Sequence, residues 1–105
     1  MVIKFDKPYL EELYNDGKTT DKKYRFQPSV VKRYQSRIDT LESVERVEKL
    51  FTINSLHYEV LKGDKKGRSS IRVNDQYRIE FKTTEVVSET IVTICDILEL
   101  SKHYK

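Results

Sequence analysis

Gly67-Arg68-Ser69-Ser70-Ile71-Arg72-Val73-Asn74-Asp75-Gln76-Tyr77-Arg78-Ile79-Glu80-Phe81 reads as a β-hairpin. Ile71 and Val73 alternate with polar residues before the turn, and Tyr77, Ile79 and Phe81 alternate after it. Cross-strand partners share a face, so matching apolar to apolar pairs Val73 with Tyr77 and Ile71 with Ile79. That register predicts Asn74-Asp75-Gln76 as the loop and sets Arg72 directly opposite Arg78. Facing like charges destabilise a ladder and call for compensation. A neighbouring carboxylate, Glu80 or Glu59, is one source. A bound anion is the other, and a planar guanidinium suits phosphate well.

The chain of 105 residues is long enough for one domain with a modest core. Charged residues make up 35% of it and the mean hydropathy is −0.67, which implies a well-solvated surface. The net charge of +3 says less than its distribution. Residues 18–37 carry Lys18, Lys22, Lys23, Arg25, Lys32, Arg33 and Arg37 against the single acid Asp21. A second basic concentration runs over 59–82, whereas 1–17, 39–51 and 83–105 are each net acidic. Such segregation fits a polyanionic partner, although charge runs also arise as plain solvated faces. The lone Cys95 lies in the apolar run Ile91 to Leu98 and reads as a buried, reduced thiol of a cytoplasmic protein. No cysteine–histidine spacing resembles a metal site, and no apolar run approaches a membrane span.

Working outward from the hairpin, His57–Leu61 is predicted as a strand and Gly63–Gly67 as a turn. Thr84–Glu89 reads as a polar loop, and Thr90–Leu98 as a central strand buried on both faces. Toward the N-terminus, Val2–Phe5 is a short strand. Asp6 is placed to cap a helix that has Pro8 in its first turn, Leu10, Leu13 and Tyr14 on one stripe, and Gly17 as its stop. Pro28 opens a second helix in which Val31, Tyr34, Ile38 and Leu41 recur at helical spacing. A further helical turn or two carries Val44, Val47, Leu50 and Phe51. The expected fold is a single α+β domain over 1–105: an N-terminal strand and two to three helices packed on one face of a mainly antiparallel sheet.

Three phrases, Leu61-Lys62-Gly63-Asp64-Lys65-Lys66-Gly67, Ser70-Ile71-Arg72-Val73-Asn74 and Tyr77-Arg78-Ile79, together resemble the HigB branch of the RelE/ParE toxins of bacterial toxin–antitoxin systems, also called plasmid-maintenance killer proteins. The match is strongest over 56–82, and the order of elements extends it over most of the chain. The resemblance implies a RelE-like fold and a ribosome-dependent mRNA interferase. Such a toxin cuts mRNA in the ribosomal A site without a metal or cofactor, and a cognate helix-turn-helix, HigA-like antitoxin restrains it. Two departures from the family pattern stand out. Many relatives carry histidine where this chain has Glu59, and many end in Asp-Tyr-His where this chain has His103-Tyr104-Lys105.

Metal-free RNA cleavage uses the substrate's 2′-hydroxyl as nucleophile. It requires a base at that hydroxyl, cations around the developing phosphorane and an acid for the leaving 5′-oxygen. Glu59 is the candidate base, or a salt-bridge partner of Arg72 or Lys62. Arg78, which matches the family's most persistent arginine, and Arg72 are the candidate phosphate cations. Lys62 comes next, or is an ordinary edge lysine. His103 is the candidate acid, or an idle residue of the terminus. Tyr104 is placed to stack on a base or to pin the tail. His57 is a secondary candidate expected on Glu59's face. Lys65, Lys66 and Arg68, with Lys22, Lys23 and Arg25, are candidate contacts to ribosomal RNA backbone, or plain solvated cations. Two other functions fit parts of the pattern: a ParE-like inhibitor of DNA gyrase, and a non-catalytic RNA-binding module.

Overall fold

Ile71 faces Ile79 and Arg72 faces Arg78 across the hairpin ladder of the computed structural model, which describes residues 1–102. The elements run β1 (Val2–Phe5), α1 (Pro8–Asp16), α2 (Pro28–Ser43), β2 (Glu59–Val60), β3 (Ser69–Arg72), β4 (Tyr77–Val87) and β5 (Ile91–Lys102). Short 3₁₀ turns occupy Lys22–Tyr24, Val47–Thr52, Asn54–Leu56 and Gly63–Lys65. The five strands form one sheet in the order β1-β5-β4-β3-β2, parallel only between β1 and β5. This is the α+β architecture expected, with the third helical segment realised as 3₁₀ rather than α.

The turn of the hairpin is built by Asn74. Its side-chain oxygen accepts from the backbone N–H of Gln76 at 2.9 Å and of Tyr77 at 2.8 Å, while Val73 and Asn74 both donate to the Tyr77 carbonyl. An asparagine whose side chain caps the backbone two and three residues further on stabilises a turn in this way. Alternation then fixes the faces. Ile71, Val73, Ile79 and Phe81 are fully buried against the helices, and Arg72 and Arg78 emerge on the opposite, open face.

Helix α2 delivers the stripe its spacing predicts, whereas in α1 Tyr9 takes the buried place expected of Tyr14, which is only partly buried. Tyr9, Leu10 and Leu13 of α1 and Val30, Val31, Tyr34, Ile38 and Leu41 of α2 are buried over the sheet. The Tyr34 hydroxyl donates to the Leu10 carbonyl at 2.8 Å, so the polar end of the largest fully buried side chain is satisfied. Helix α1 ends where Gly17 takes a left-handed φ of 74°. Its N-cap is Lys7 rather than Asp6, and no side chain caps it. Asp6 is instead held in place through its backbone N–H, which donates to Ile97. Cys95 is buried within β5, and burial pushes its thiol up to about 12.

Three predicted boundaries move, the first being the end of β5, which runs on past Leu98 to Lys102. Thr84–Val87 is not loop but the far half of β4, pairing with β5 as far as Val87 opposite Ile91. This part of the ribbon projects past β1 and β3, so Val86, Val87, Ile91 and Val92 are exposed, and β5 is not buried along its whole length. The strand predicted over His57–Leu61 contracts to Glu59–Val60, because His57 takes a left-handed φ of 46° after the 3₁₀ turn Asn54–Leu56.

We predict that Asn74→Ala lowers the unfolding free energy by about 1–2 kcal/mol, the worth of two hydrogen bonds to one acceptor. Asn74→Asp, which keeps the acceptor, stays close to wild type. Denaturant melts of the three proteins check this, and an unchanged midpoint in Asn74→Ala would show that the turn holds without its side chain.

Candidate active site

Register alone lines up two rows of side chains on the open face. One row crosses four strands: Glu59 of β2, Ser70 of β3, Glu80 of β4 and Glu99 of β5. The next is Arg72, Arg78 and Ser101. Between and beside them lies a cleft of about 300 Å³ lined by Glu59, Leu61, Lys65, Ser70, Arg78, Glu80, Ser101 and Lys102.

Arg78 is the centre of this arrangement. It is only 9% exposed. Its Nε donates to Ser70 Oγ at 2.8 Å, its Nη2 donates to the His57 carbonyl at 2.5 Å, and the same nitrogen lies 3.7 Å from Glu59 Oε2. A nearly buried guanidinium is stable only when its fork is satisfied, and here a serine, a carbonyl and a carboxylate share that task. The carboxylate that compensates the Arg72/Arg78 repulsion at Arg78 is therefore Glu59. Arg72 turns the other way, toward Asp75 in the loop, with which it forms an ion pair. The two arginines thus face each other in register but are held by different acids.

The second compensating acid, Glu80, is spent elsewhere. Its side chain is 4% exposed and receives Lys65 Nζ at 2.6 Å and Arg68 Nη1 at 3.1 Å. Arg68 also lies 3.6 Å from Glu99. Burial works against the Glu80 charge, but hydrogen bonds from Lys65, Ser101 and Arg68 outweigh it and hold the carboxyl below the usual glutamate range. These contacts tie the basic turn Gly63–Gly67 down onto the sheet. That turn is bracketed by two glycines with positive φ, 66° and 93°, and closed by the Leu61 N–H donating to Arg68 O at 2.9 Å.

The expected residues divide accordingly. Glu59, Arg78 and Lys65 meet at the cleft, and Arg72 and Arg68 flank it. Lys62 is exposed at the head of the turn and does not line the cleft, and Lys66 is exposed beside it. His57 lies before β2 rather than in it, and enters this site through its carbonyl. Lys22 and Lys23 sit on the 3₁₀ turn that stacks Tyr24 on Tyr9, with Arg25 just after it. The edge contact of Phe26 with Tyr77, at 5.4 Å between ring centroids, brings this segment to the turn end of the hairpin. His103 and Tyr104 lie outside the described residues.

Sequence reading missed four contributors. Ser70 and Ser101 carry no signal by composition, and Glu80 was weighed only as a partner of the arginines. Arg37 was counted only within a charge run, yet its Nε donates to the Arg72 carbonyl at 3.0 Å. Burial, with the charges of Arg33 and Arg72 as lesser causes, lowers the Arg37 pKa from its ordinary value.

The sign of the Glu80 shift sets a pH dependence. A carboxyl depressed in the folded state contributes stability that is present above its unfolded value of about 4.3 and lost as pH falls through the lower folded value. We predict that Glu80→Gln is destabilising at pH 7 and flattens the acid limb of the stability curve below about pH 4.3. Urea melts across pH check both, and an acid limb parallel to wild type would remove Glu80 from that role.

The family described as RelE-like toxin of the type II toxin–antitoxin system HigB matches residues 3–95. Toxin HigB-1 of Vibrio cholerae serotype O1 is 33% identical over 89 residues, covering 84% of this chain and 90% of that protein. The fold is also that of a YoeB/ParE toxin from Agrobacterium tumefaciens, with a TM-score of 0.60 and 18% identity over 99% of this chain and 100% of that one. Among the described residues no helix is long and apolar enough to cross a membrane. With residues 3–95 matched by the family and a third of 89 aligned residues identical in a relative of which the alignment covers 90%, the chain belongs to the HigB-like, RelE-type toxins of type II toxin–antitoxin systems.

Proposed function

We propose that this toxin is a ribosome-dependent mRNA interferase, an endoribonuclease that cuts the codon in the ribosomal A site and so stops translation in the cytoplasm. The observation that carries the proposal is Arg78: a guanidinium fixed on its inner side by Ser70 and the His57 carbonyl, paired to Glu59, and lining an open cleft. A cation immobilised before its ligand arrives stabilises charge that develops in a transition state without reorganising.

In this reaction the 2′-hydroxyl of the substrate attacks the adjacent phosphate, its proton passes to Glu59, and the 5′-oxygen leaves with a proton from the enzyme. The products are a 2′,3′-cyclic phosphate and a 5′-hydroxyl. Arg78 and Arg72 neutralise the phosphorane oxygens. Histidine is the side chain suited to proton transfer near neutral pH, which gives His103 the acid role, and Tyr104 is the aromatic that stacks on an unpaired base. Lys62 and Lys66, exposed on the turn, and Lys22, Lys23 and Arg25 near the hairpin's end meet ribosomal RNA backbone. Lys65 and Arg68 act through Glu80, and share their charge with RNA only as that contact loosens. A cognate antitoxin of the helix-turn-helix type restrains the toxin by covering this basic face or by blocking entry to the A site.

We predict that Arg72→Ala and Arg78→Lys each slow single-turnover cleavage on programmed ribosomes about 100-fold or more, as loss of one oriented donor does. Arg78→Lys keeps a positive charge under Glu59 but loses the fork, so circular dichroism should still report a folded protein. Glu59→Gln should slow the same step by roughly 100-fold or more if it takes the proton. Full activity in both arginine variants would sink the proposal. Blocked DNA supercoiling without RNA cleavage would replace it with gyrase inhibition.

A further inference from the structure

A second cleft, of about 480 Å³, opens on the other side of Glu59. Leu50, Phe51, Ile53, Asn54, Tyr58 and Val60 line most of it, and His57 and Glu59 close the side toward the arginines. Two of its apolar residues are left in solvent, Phe51 at 57% and Val60 at 61% exposure. Neither serves the core, which takes Leu50 and Leu56 from the same segment at full burial. The Phe51 ring lies 5.0 Å from Tyr58 at 48°. Tyr58 is itself fixed, with its hydroxyl 2.9 Å from Ser69 Oγ and its ring against Phe81. One aromatic surface is thus held from below and open above. The amide of Asn54 and the imidazole of His57, both on exposed residues, supply donors and acceptors at the rim.

The two clefts are mechanically joined. His57 is the one non-glycine residue with positive φ among the described residues, and the carbonyl it presents in that conformation is the one Arg78 grips. A strained backbone maintained at a cleft wall is a pointer to function. Glu59 lines both clefts. Glu59 and His57 are therefore shared by the surroundings of Arg78 and the wall of the aromatic cleft.

We propose that this cleft binds an unpaired nucleobase of the RNA whose phosphate sits at Arg78, the base stacking on Phe51 and reading Asn54 and His57 with its edge. The inference rests on the nuclease proposal and adds to it the site of base selection. A nucleotide matches the observed order of cation, carboxylate and aromatic surface. A peptide strand does not, because the neighbouring sheet edge, β2, offers only two residues for pairing. Base–aromatic stacking is indifferent to base identity, whereas the polar rim is not, so affinity and preference separate between Phe51 and Asn54.

The test uses full-length toxin on ribosomes programmed with a panel of A-site codons. Phe51→Ala, a change at a surface ring, is expected to slow single-turnover cleavage of every codon by on the order of 10-fold or more, with Phe51→Trp restoring it. Asn54→Ala is expected to alter the ranking of codons. In parallel, the ring resonances of Phe51 and Tyr58 are followed by NMR as a 2′-O-methylated RNA trinucleotide is added, and both are expected to move. Wild-type cleavage with equal rates for Phe51→Ala on all codons overturns the base site and leaves the nuclease standing. A toxin that cuts no codon but shows the ring shifts loses the nuclease and keeps the base site. Absence of ring shifts overturns it, as does a Phe51→Ala variant impaired only in antitoxin binding, which would make the cleft a protein-docking groove.

Discussion

Two guanidinium groups carried at opposed positions of an antiparallel ladder repel each other, and much of the open face is arranged around that repulsion. Arg72 is drawn outward to Asp75 in the loop. Arg78 is drawn inward, where Ser70, the His57 carbonyl and Glu59 each take part of its fork. Removing a partner from a nearly buried charge is far more damaging than removing an exposed pair. His57 must accordingly present its carbonyl toward the sheet, and the chain accepts a left-handed residue to achieve it. The short β2 follows directly from that turn, and with it the position of Glu59.

A second interaction of the same kind holds the basic turn. Glu80 is almost wholly buried yet charged, since Lys65 and Arg68 reach over it from the turn and Ser101 supports it from β5. The open face therefore alternates acids and bases rather than presenting a uniform positive field. This arrangement restrains the site before any ligand arrives, at the cost of engaging some of the cations that a polyanion would otherwise meet. It also leaves a chain of net charge +3 with a cation, Arg78, that is fixed and oriented rather than part of a general positive field.

The hairpin was legible because one register alone matched Ile71 to Ile79 and Val73 to Tyr77, and register dictates which residues share a face. The helices were legible for the analogous reason at helical spacing, Tyr34, Ile38 and Leu41 all being fully buried. Thr84–Val87 was misread because a ribbon that projects beyond the helices has no buried face, so no alternation marks it, although threonine and valine favour strands. His57 was misread because a positive φ at a non-glycine residue leaves no trace in a hydropathy pattern. The candidate site was legible in its arginines and in Glu59. It was illegible in Ser70, Ser101 and Arg37, whose parts come from contacts that only the folded sheet brings about.

Arg78 is proposed to be the phosphate anchor of an RNA-cutting site. That role is tested most directly by determining the structure of the toxin bound to a ribosome whose A-site codon carries 2′-O-methyl groups and so cannot be cut. A codon phosphate is expected within hydrogen-bond reach, about 3 Å, of the Arg78 guanidinium, with the blocked 2′-oxygen on the side of Glu59. A codon whose phosphates lie away from the open face of the hairpin, with Arg78 still closed on Glu59, would contradict it.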